Sequence, residues 1–296
     1  MADPTGTSGQ RVGVVGAGTM GVGIVYVFAM AGFGVDLVEP DAAGTKRALS
    51  TLREAAANAV VRGKITVEAS ETALDRVQAL RSADDLVTDL DLVIETVPER
   101  RELKLQVLSQ IDARAPKLIA TNTSALSIDD LASAVTDRSR FLGMHFFNPV
   151  WSLKLVEIIR GTATSDATIA EAQAFTTAIG KSSAVVSDTP GFATSRLDLV
   201  QALEAIRMVE QGVASPEDID RAITTAYRHP VGPLRLSDMV GLDVRLDIAR
   251  QLETALGAHF APPQLLQEMV ARGELGQKSG KGFYDWRAED RLSKAG

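Results

Sequence analysis

Short apolar runs alternate with longer amphipathic stretches along the first two thirds of the chain. The short runs predict strands at residues 11–15, 35–39, 91–97 and 117–121. The longer stretches predict helices from the first glycine turn to about residue 31, and then over 42–62, 66–79 and 99–114. Strands that alternate with helices favour an α/β, Rossmann-like fold with a doubly wound, mostly parallel sheet.

Two further runs, 141–147 and 153–159, flank Asn148-Pro149 and predict a hairpin, because proline does not continue a strand ladder. A helix over 166–179 and a strand over 184–187 follow, and then a Thr-Pro-Gly breaker ends the alternation. From 192 to about 273 the pattern is helical, with breaks near 215, 230–233 and 262. We therefore predict a disordered leader at 1–10, a nucleotide-binding domain at 11–187 and an all-helical domain at 188–296.

Composition narrows the possible partners. The 296 residues carry a net charge of −7, which gives no basic surface for nucleic acid. With no cysteine and three scattered histidines, neither disulfides nor a metal site is expected. Residues 12–35 lack charge, but their glycines favour a strand, turn and helix over a membrane span. The polar leader does not resemble a signal peptide, so a cytoplasmic location is expected.

The turn after the first strand has the pattern of a dinucleotide-binding site. It comprises Gly16, Ala17, Gly18, Thr19, Met20 and Gly21. The first glycine would allow the tight turn, the second would let backbone approach a pyrophosphate, and the third would let the helix pack on the strand. The N–H groups of the first helical turn, which includes Thr19 and Met20, would then face the phosphates.

Glu39 ends the second strand at about the 20-residue spacing expected after such a turn. Its carboxylate would accept hydrogen bonds from a ribose diol and repel a 2′-phosphate, so NAD is predicted over NADP. The alternative is a purely structural glycine turn followed by a solvated glutamate.

His145 and Glu157 are equidistant from Trp151, near the centre of the predicted hairpin. Their side chains would lie opposite each other on one face, where the carboxylate would orient the imidazole for proton transfer. The alternative is a packed core histidine with a surface glutamate.

Ser124 follows another strand, at the edge where ligands of open α/β sheets bind. Its hydroxyl could hold a reacting oxygen. The alternative is a turn rich in hydroxyls that caps the following helix.

Taken in order, eight segments resemble the 3-hydroxyacyl-CoA dehydrogenases, in particular the short bacterial 3-hydroxybutyryl-CoA type. The segments are VGVVGAGTMG (12–21), VIETVPERRELK (93–104), TNTSAL (121–126), HFFNPV (145–150), KLVEII (154–159), DTPGF (188–192), HPVGPLRLSDMVGLD (229–243) and GELGQKSGKGFYDW (273–286). The resemblance implies an NAD-dependent oxidoreductase of fatty acid metabolism that interconverts an L-3-hydroxyacyl-CoA and the 3-oxoacyl-CoA. It also implies a homodimer formed through the helical domain.

The same resemblance implies roles for individual residues. His145 matches the catalytic acid/base, and Glu157 its orienting carboxylate. Ser124 matches the hydroxyl that holds the substrate 3-oxygen, and Asn148 the amide beside nicotinamide and substrate. The remaining positions matched to cofactor contacts are Glu99, Lys104 and Lys278.

Two departures from the family pattern concern the substrate. Ser195 stands where many members have an active-site asparagine, so we expect it to line the active site. In the helical region that the family uses to bind coenzyme A, residues 55–58 supply no lysine. Ser50 and Arg53 are the predicted contacts to coenzyme A, and Arg62 and Lys64 are further candidates.

Several alternatives to a CoA-linked dehydrogenase stay open. The same chemistry could act on an acyl group bound to a carrier protein. A crystallin-like branch of the superfamily would act on a sugar acid such as gulonate. A dinucleotide-binding sensor or scaffold is a different class, against which retention of both His145 and Glu157 argues, because binding alone needs neither.

Overall fold

The computed structural model describes residues 9–287, so most of the predicted leader lies outside the described residues. Within the described range the chain divides into two compact units, with the division between Phe192 and Ala193. The sequence placed a domain boundary slightly earlier, at about residue 188. In the described range, no helix is long and apolar enough to cross a membrane.

One eight-stranded sheet forms the centre of the first unit. Its strands are β1 (Arg11–Val15), β2 (Gly34–Val38), β3 (Val77–Leu80), β4 (Leu92–Glu95), β5 (Leu118–Thr121), β6 (Phe141–Phe146), β7 (Leu155–Arg160) and β8 (Ser182–Ser187). They lie in the order β3-β2-β1-β4-β5-β6-β7-β8. All neighbouring pairs are parallel except β6 and β7, which are antiparallel. The mostly parallel Rossmann-like sheet is therefore confirmed.

Helices separate the strands of this unit. They are α1 (Thr19–Met30), α2 (Ala42–Val61), α3 (Val67–Asp75), α4 (Arg101–Asp112), α5 (Ile128–Leu131) and α6 (Asp166–Ala178). Two hydrophobic clusters bury the strands, one built around Phe28, Phe33 and Phe175 and the other around Leu108 and Phe141. Central strands such as β4 are fully buried, which explains their near-continuous apolar sequences.

The helix predicted over 66–79 is wrong at its C-terminal end. The helix α3 ends at Asp75, and Val77–Leu80 instead forms the edge strand β3, paired in parallel with β2. The amide of Val35 donates to the carbonyl of Arg76 at this junction. Alanine and leucine in this segment suit a helix, but the outer edge of β2 needs backbone partners, and that pairing overrides the local preference.

The second unit is helical, as the sequence predicts. Its helices are α7 (Thr194–Glu210), α8 (Pro216–Ala226), α9 (Pro233–Val240), α10 (Leu242–Leu256) and α11 (Gln264–Ala271). Two of them begin with proline, whose missing N–H costs nothing at the first helical position. The buried carboxylate of Asp238 accepts hydrogen bonds from the backbone of Phe283 and Tyr284 and from the Trp286 indole, which fastens the C-terminal segment to α9.

Candidate active site

The glycine turn between β1 and α1 is held by backbone contacts that exclude larger residues. Gly16 has a φ of +109°, and its amide donates to the Val38 carbonyl at the end of β2 over 2.9 Å. A Cβ on Gly21 would lie 1.9 Å from the Gly16 carbonyl oxygen. The Thr96 hydroxyl, which the sequence did not single out, donates to the carbonyls of Val15 and Gly16. The turn is thus fixed from both neighbouring strands.

The space above this turn suits a pyrophosphate. A Cβ built on Gly18 would meet nothing within 4 Å, so backbone there is open to a ligand. Gly18 is the N-cap of α1, has no side-chain capping bond, and is followed by a first turn without acidic residues. The amides of that turn have no carbonyl partner within the helix, and they favour an anion.

Glu39 lies on the wall of the same cavity, which has a volume of about 1160 Å³. Its two carboxylate oxygens accept hydrogen bonds from the backbone amides of Ala17 (3.2 Å) and Asp41 (3.0 Å). Asp41 is the N-cap of α2, and the amides of Ala43 and Gly44 lower the pKa of its carboxyl. The Glu39 carboxylate is therefore held in one place at the end of β2, beside the glycine turn.

The hairpin prediction for His145 and Glu157 is confirmed in its geometry. The two residues are directly opposed in the antiparallel ladder of β6 and β7, and His145 Nδ1 lies 2.8 Å from Glu157 Oε2. The Glu157 side chain is fully buried, and the imidazole is 10% exposed. Since an ionised carboxylate only accepts hydrogen bonds, it assigns the Nδ1 proton and leaves Nε2 for a ligand in the cavity that His145 lines.

Two neighbouring loops bring further polar groups to this cavity. Ser124 is exposed on its wall after β5, and Asn148 is exposed after β6. The Asn122 side chain accepts a hydrogen bond from the Phe146 amide over 2.9 Å, which links these two strand ends. Buried Lys181 donates to the carbonyls of Val150 and Leu153, and burial lowers the pKa of its ammonium group. The sequence pattern assigned no individual role to Asn122, which lies in the 121–126 segment, or to Lys181, because their roles depend on contacts distant in the chain.

Glu99 and Lys104 occupy different environments although the sequence assigned both to the cofactor. Glu99 lines the cavity, and its Oε1 accepts hydrogen bonds from the amides of Ser124 and Ala125. Lys104 is fully buried, and its Nζ lies 2.9 Å from Glu95 Oε1 and 3.3 Å from Glu99 Oε2. The ammonium group of Lys104 therefore contacts the Glu99 carboxylate from beneath the wall.

A second cavity of about 230 Å³ lies beside the C-terminal half of α2. Arg62, Lys64, Trp151 and Tyr26 are among the residues that line it. The rings of Tyr26 and Trp151 meet edge to face at 6.0 Å, and burial raises the pKa of the Tyr26 hydroxyl. Two cations and two aromatic rings make this cavity suitable for a phosphorylated nucleotide.

The comparisons with known proteins agree with this geometry. Residues 11–189 match the family model of the 3-hydroxyacyl-CoA dehydrogenase NAD-binding domain, and residues 191–286 match that of the C-terminal domain. The chain belongs to the 3-hydroxyacyl-CoA dehydrogenase family. As a member of it, the chain is an NAD-dependent oxidoreductase, so the predicted cofactor is confirmed.

Relatives of known type resemble nearly the whole chain. A 3-hydroxybutyryl-CoA dehydrogenase from Bradyrhizobium diazoefficiens is 41% identical over 281 residues, covering 94% of this chain and 96% of the relative. One from Mycobacterium tuberculosis is also 41% identical, over 282 residues, covering 94% of this chain and 98% of that protein. The solved (S)-3-hydroxybutyryl-CoA dehydrogenase from Ralstonia eutropha is 40% identical, with a TM-score of 0.89, covering 94% of this chain and 99% of that chain.

Not all residues that the family resemblance singled out lie on the two cavities of the first unit. Ser50 and Arg53 are exposed on α2, where the Ser50 hydroxyl donates to Glu54, and neither lines a cavity described above. Ser195 is the second residue of α7 in the second unit, and Lys278 there pairs with Asp243 at 2.5 Å. The N-cap of α7 is Ala193, so Ser195 does not cap this helix.

Glu39→Ser is expected to narrow the preference for NADH over NADPH, because it removes the carboxylate that opposes a 2′-phosphate. One such contact is worth about 1–3 kcal/mol, or roughly five- to 150-fold in relative affinity. Fluorescence titration with both dinucleotides measures the effect, with Glu71→Ser, an exposed change on α3, as the control. Equal affinity of the unaltered protein for the two dinucleotides would refute the assignment of Glu39.

Proposed function

We propose that the enzyme interconverts a short-chain L-3-hydroxyacyl-CoA and the corresponding 3-oxoacyl-CoA, such as 3-hydroxybutyryl-CoA and acetoacetyl-CoA. The observation that carries the proposal is that His145, which is paired with buried Glu157, lines the same cavity as the glycine turn and Ser124. The names of the relatives support this substrate class. Loss of NADH absorbance with acetoacetyl-CoA is the direct test.

The chain supplies proton transfer and charge stabilisation to this reaction. In the oxidative direction His145 Nε2 takes the proton of the substrate hydroxyl, and Glu157 stabilises the imidazolium through Nδ1–H. Ser124 donates a hydrogen bond to the oxygen on C3, where negative charge develops. NAD, when bound above the glycine turn, would supply the hydride acceptor for C3. In the reductive direction protonated His145 returns the proton to the same oxygen.

The second cavity supports coenzyme A as the acyl carrier. We propose that Arg62 and Lys64, which line this cavity, meet the phosphates of its nucleotide end, rather than Ser50 and Arg53, which do not line it. The phosphopantetheine arm of a carrier protein lacks that nucleotide. The aromatic and cationic lining therefore favours CoA over a carrier protein.

A homodimer formed through the second unit is also proposed. Several large apolar side chains of that unit are exposed, with Leu197 67% and Tyr227 71% exposed. Exposed apolar surface of this kind favours association between subunits. We further propose that the enzyme works in the cytoplasm, in fatty acid metabolism, where both the dinucleotide and the thioester would be available.

His145→Ala is expected to lower kcat by about 10²- to 10⁴-fold, the usual contribution of a general acid/base. NADH affinity is expected to change little, since the imidazole acts on the substrate. Glu157→Gln also lowers kcat, and the double variant is expected to lose much less than the product of the two single losses. Steady-state kinetics with acetoacetyl-CoA give these values. Fully multiplicative losses would contradict a dyad.

Arg62→Ala combined with Lys64→Ala is expected to raise KM for acetoacetyl-CoA about tenfold, because two phosphate contacts are lost. The KM for acetoacetyl-N-acetylcysteamine, which lacks the nucleotide, is expected to stay unchanged. Arg53→Ala is the matched control on the exposed face of α2. An equal rise in KM for both thioesters, or a larger effect of Arg53→Ala, would contradict the assignment.

Ser195→Ala tests the position where this chain departs from the family. If the hydroxyl donates to substrate, kcat/KM is expected to fall a few-fold to tenfold, equivalent to about 0.5–1.5 kcal/mol. Ser195→Asn is expected to retain or improve turnover. The melting temperature is the control, since α7 is capped at Ala193 and gains no cap from this hydroxyl. A change in melting temperature alone would contradict an active-site role.

A further inference from the structure

We propose that Glu95 is a positioning residue for the loop that carries Ser124, and that it acts through Lys104 and Glu99. Glu95 ends β4 and is fully buried, as is Lys104 on α4. The proposal rests on the proposed function in so far as Ser124 binds the substrate oxygen. It assigns a purpose to a buried carboxylate that touches neither of the cavities.

Both carboxylate oxygens of Glu95 are fully engaged. Lys104 Nζ lies 2.9 Å from Oε1 and 3.0 Å from Oε2. The Val97 amide donates to Oε1 over 2.6 Å, and the Thr121 hydroxyl donates to Oε2 over 2.7 Å. Four donor contacts satisfy the buried carboxylate, and they hold the ammonium group of Lys104 in a single position.

Lys104 also contacts Glu99, a residue of the cavity wall, and so orients its carboxylate. Its Nζ lies 3.3 Å from Glu99 Oε2, and the Glu99 side chain is 37% exposed. The other oxygen of Glu99 accepts hydrogen bonds from the Thr123 hydroxyl and from the amides of Ser124 (3.1 Å) and Ala125 (3.3 Å). Three successive residues of the loop therefore depend on one carboxylate, and that carboxylate is oriented by the buried ammonium group.

The charge balance explains why Glu95 is needed. A buried ammonium group without a fixed counter-ion is strongly disfavoured. Without the Glu95 charge, Lys104 would keep the Val97 carbonyl but would draw the Glu99 carboxylate inward as its remaining counter-ion, away from the loop amides. With Glu95 in place, Glu99 needs to give Lys104 only one oxygen. The carboxylates of Glu95 and Glu99 thus share the ammonium group of Lys104, and Glu99 Oε1 stays available to accept hydrogen bonds from the loop.

A purely structural role predicts something different. Glu95 also joins β4 to β5 through Thr121, and loss of that contact alone would loosen the strands without a particular effect at Ser124. Our proposal requires an effect concentrated in residues 122–126. Two measurements distinguish these possibilities. One is which backbone amides exchange faster in the variant, and the other is whether its loss of kcat depends on the Ser124 hydroxyl.

Amide hydrogen exchange of Glu95→Gln is the first test. The amides of Ser124 and Ala125 are expected to exchange at least about tenfold faster, while those of Ile119 and Ala120 in β5 stay unchanged. Glu102→Gln, an exposed change on the helix α4 that carries Lys104, is the matched control. Unchanged exchange at Ser124, or an equal rise throughout β5, would overturn the proposal. Glu95→Asp, whose shorter side chain withdraws the carboxylate from Lys104, replaces Glu95→Gln if the latter does not fold, with the same expected pattern. Thr121→Val, which removes only the contact to β5, is expected to leave exchange at Ser124 and Ala125 unchanged.

A double-mutant cycle with Ser124→Ala is the second test. Glu95→Gln alone is expected to lower kcat for acetoacetyl-CoA reduction about tenfold to hundredfold, the scale of a misplaced catalytic group. In the Ser124→Ala background its effect is expected to fall below about threefold. Equal effects in both backgrounds would overturn the proposal. If the unaltered protein does not turn over acetoacetyl-CoA, the proposed function fails, while the exchange result still decides the role of Glu95.

Discussion

Six parallel strands, from β3 to β6 across the sheet, end at the same edge, and the groups of the candidate active site are attached to that edge. The glycine turn follows β1, Glu39 follows β2, Ser124 follows β5 and His145 lies near the end of β6. Segments between residues 16 and 148 that are distant from one another in sequence thus meet at one cavity. Parallel pairing alone brings about this convergence, because it places the carboxyl ends of neighbouring strands side by side.

The antiparallel pairing of β6 and β7 brings two side chains directly opposite each other. An antiparallel pair places residues directly opposite each other, and here the opposed pair is an imidazole and a fully buried carboxylate. The burial of Glu157 restricts its rotation and excludes competing water, so its hydrogen bond defines the orientation of the His145 ring. The loop that joins the two strands is held from beneath by Lys181, which keeps the exposed Asn148 near the same site.

Charged groups beneath the cavity wall have a different purpose from those on its surface. Glu39 and Glu99 line the cavity, and both are oriented by backbone amides. Glu95 and Lys104 have no exposed side-chain surface and interact with each other. Buried pairs of this kind contribute little net stability compared with apolar residues, but they permit few geometries. Their position directly below the Ser124 loop is consistent with selection for geometry at the site.

The amino-acid pattern by itself determined the order of strands and helices apart from β3, the glycine turn with its acidic partner, the helical second unit and the family. These follow from local periodicity, proline and glycine positions and motif order. The hairpin symmetry also predicted that His145 faces Glu157, because loop length helps to fix the register of a hairpin and the two residues are equidistant from its centre. Only the tertiary structure decided that residues 77–80 form an edge strand, that Lys104 is buried on Glu95, and that Arg62 and Lys64 line a cavity while Ser50 and Arg53 do not. Each of these features depends on partners that are distant in the chain. Local sequence does not indicate which distant groups will pair with the edge of a strand or with a buried charge.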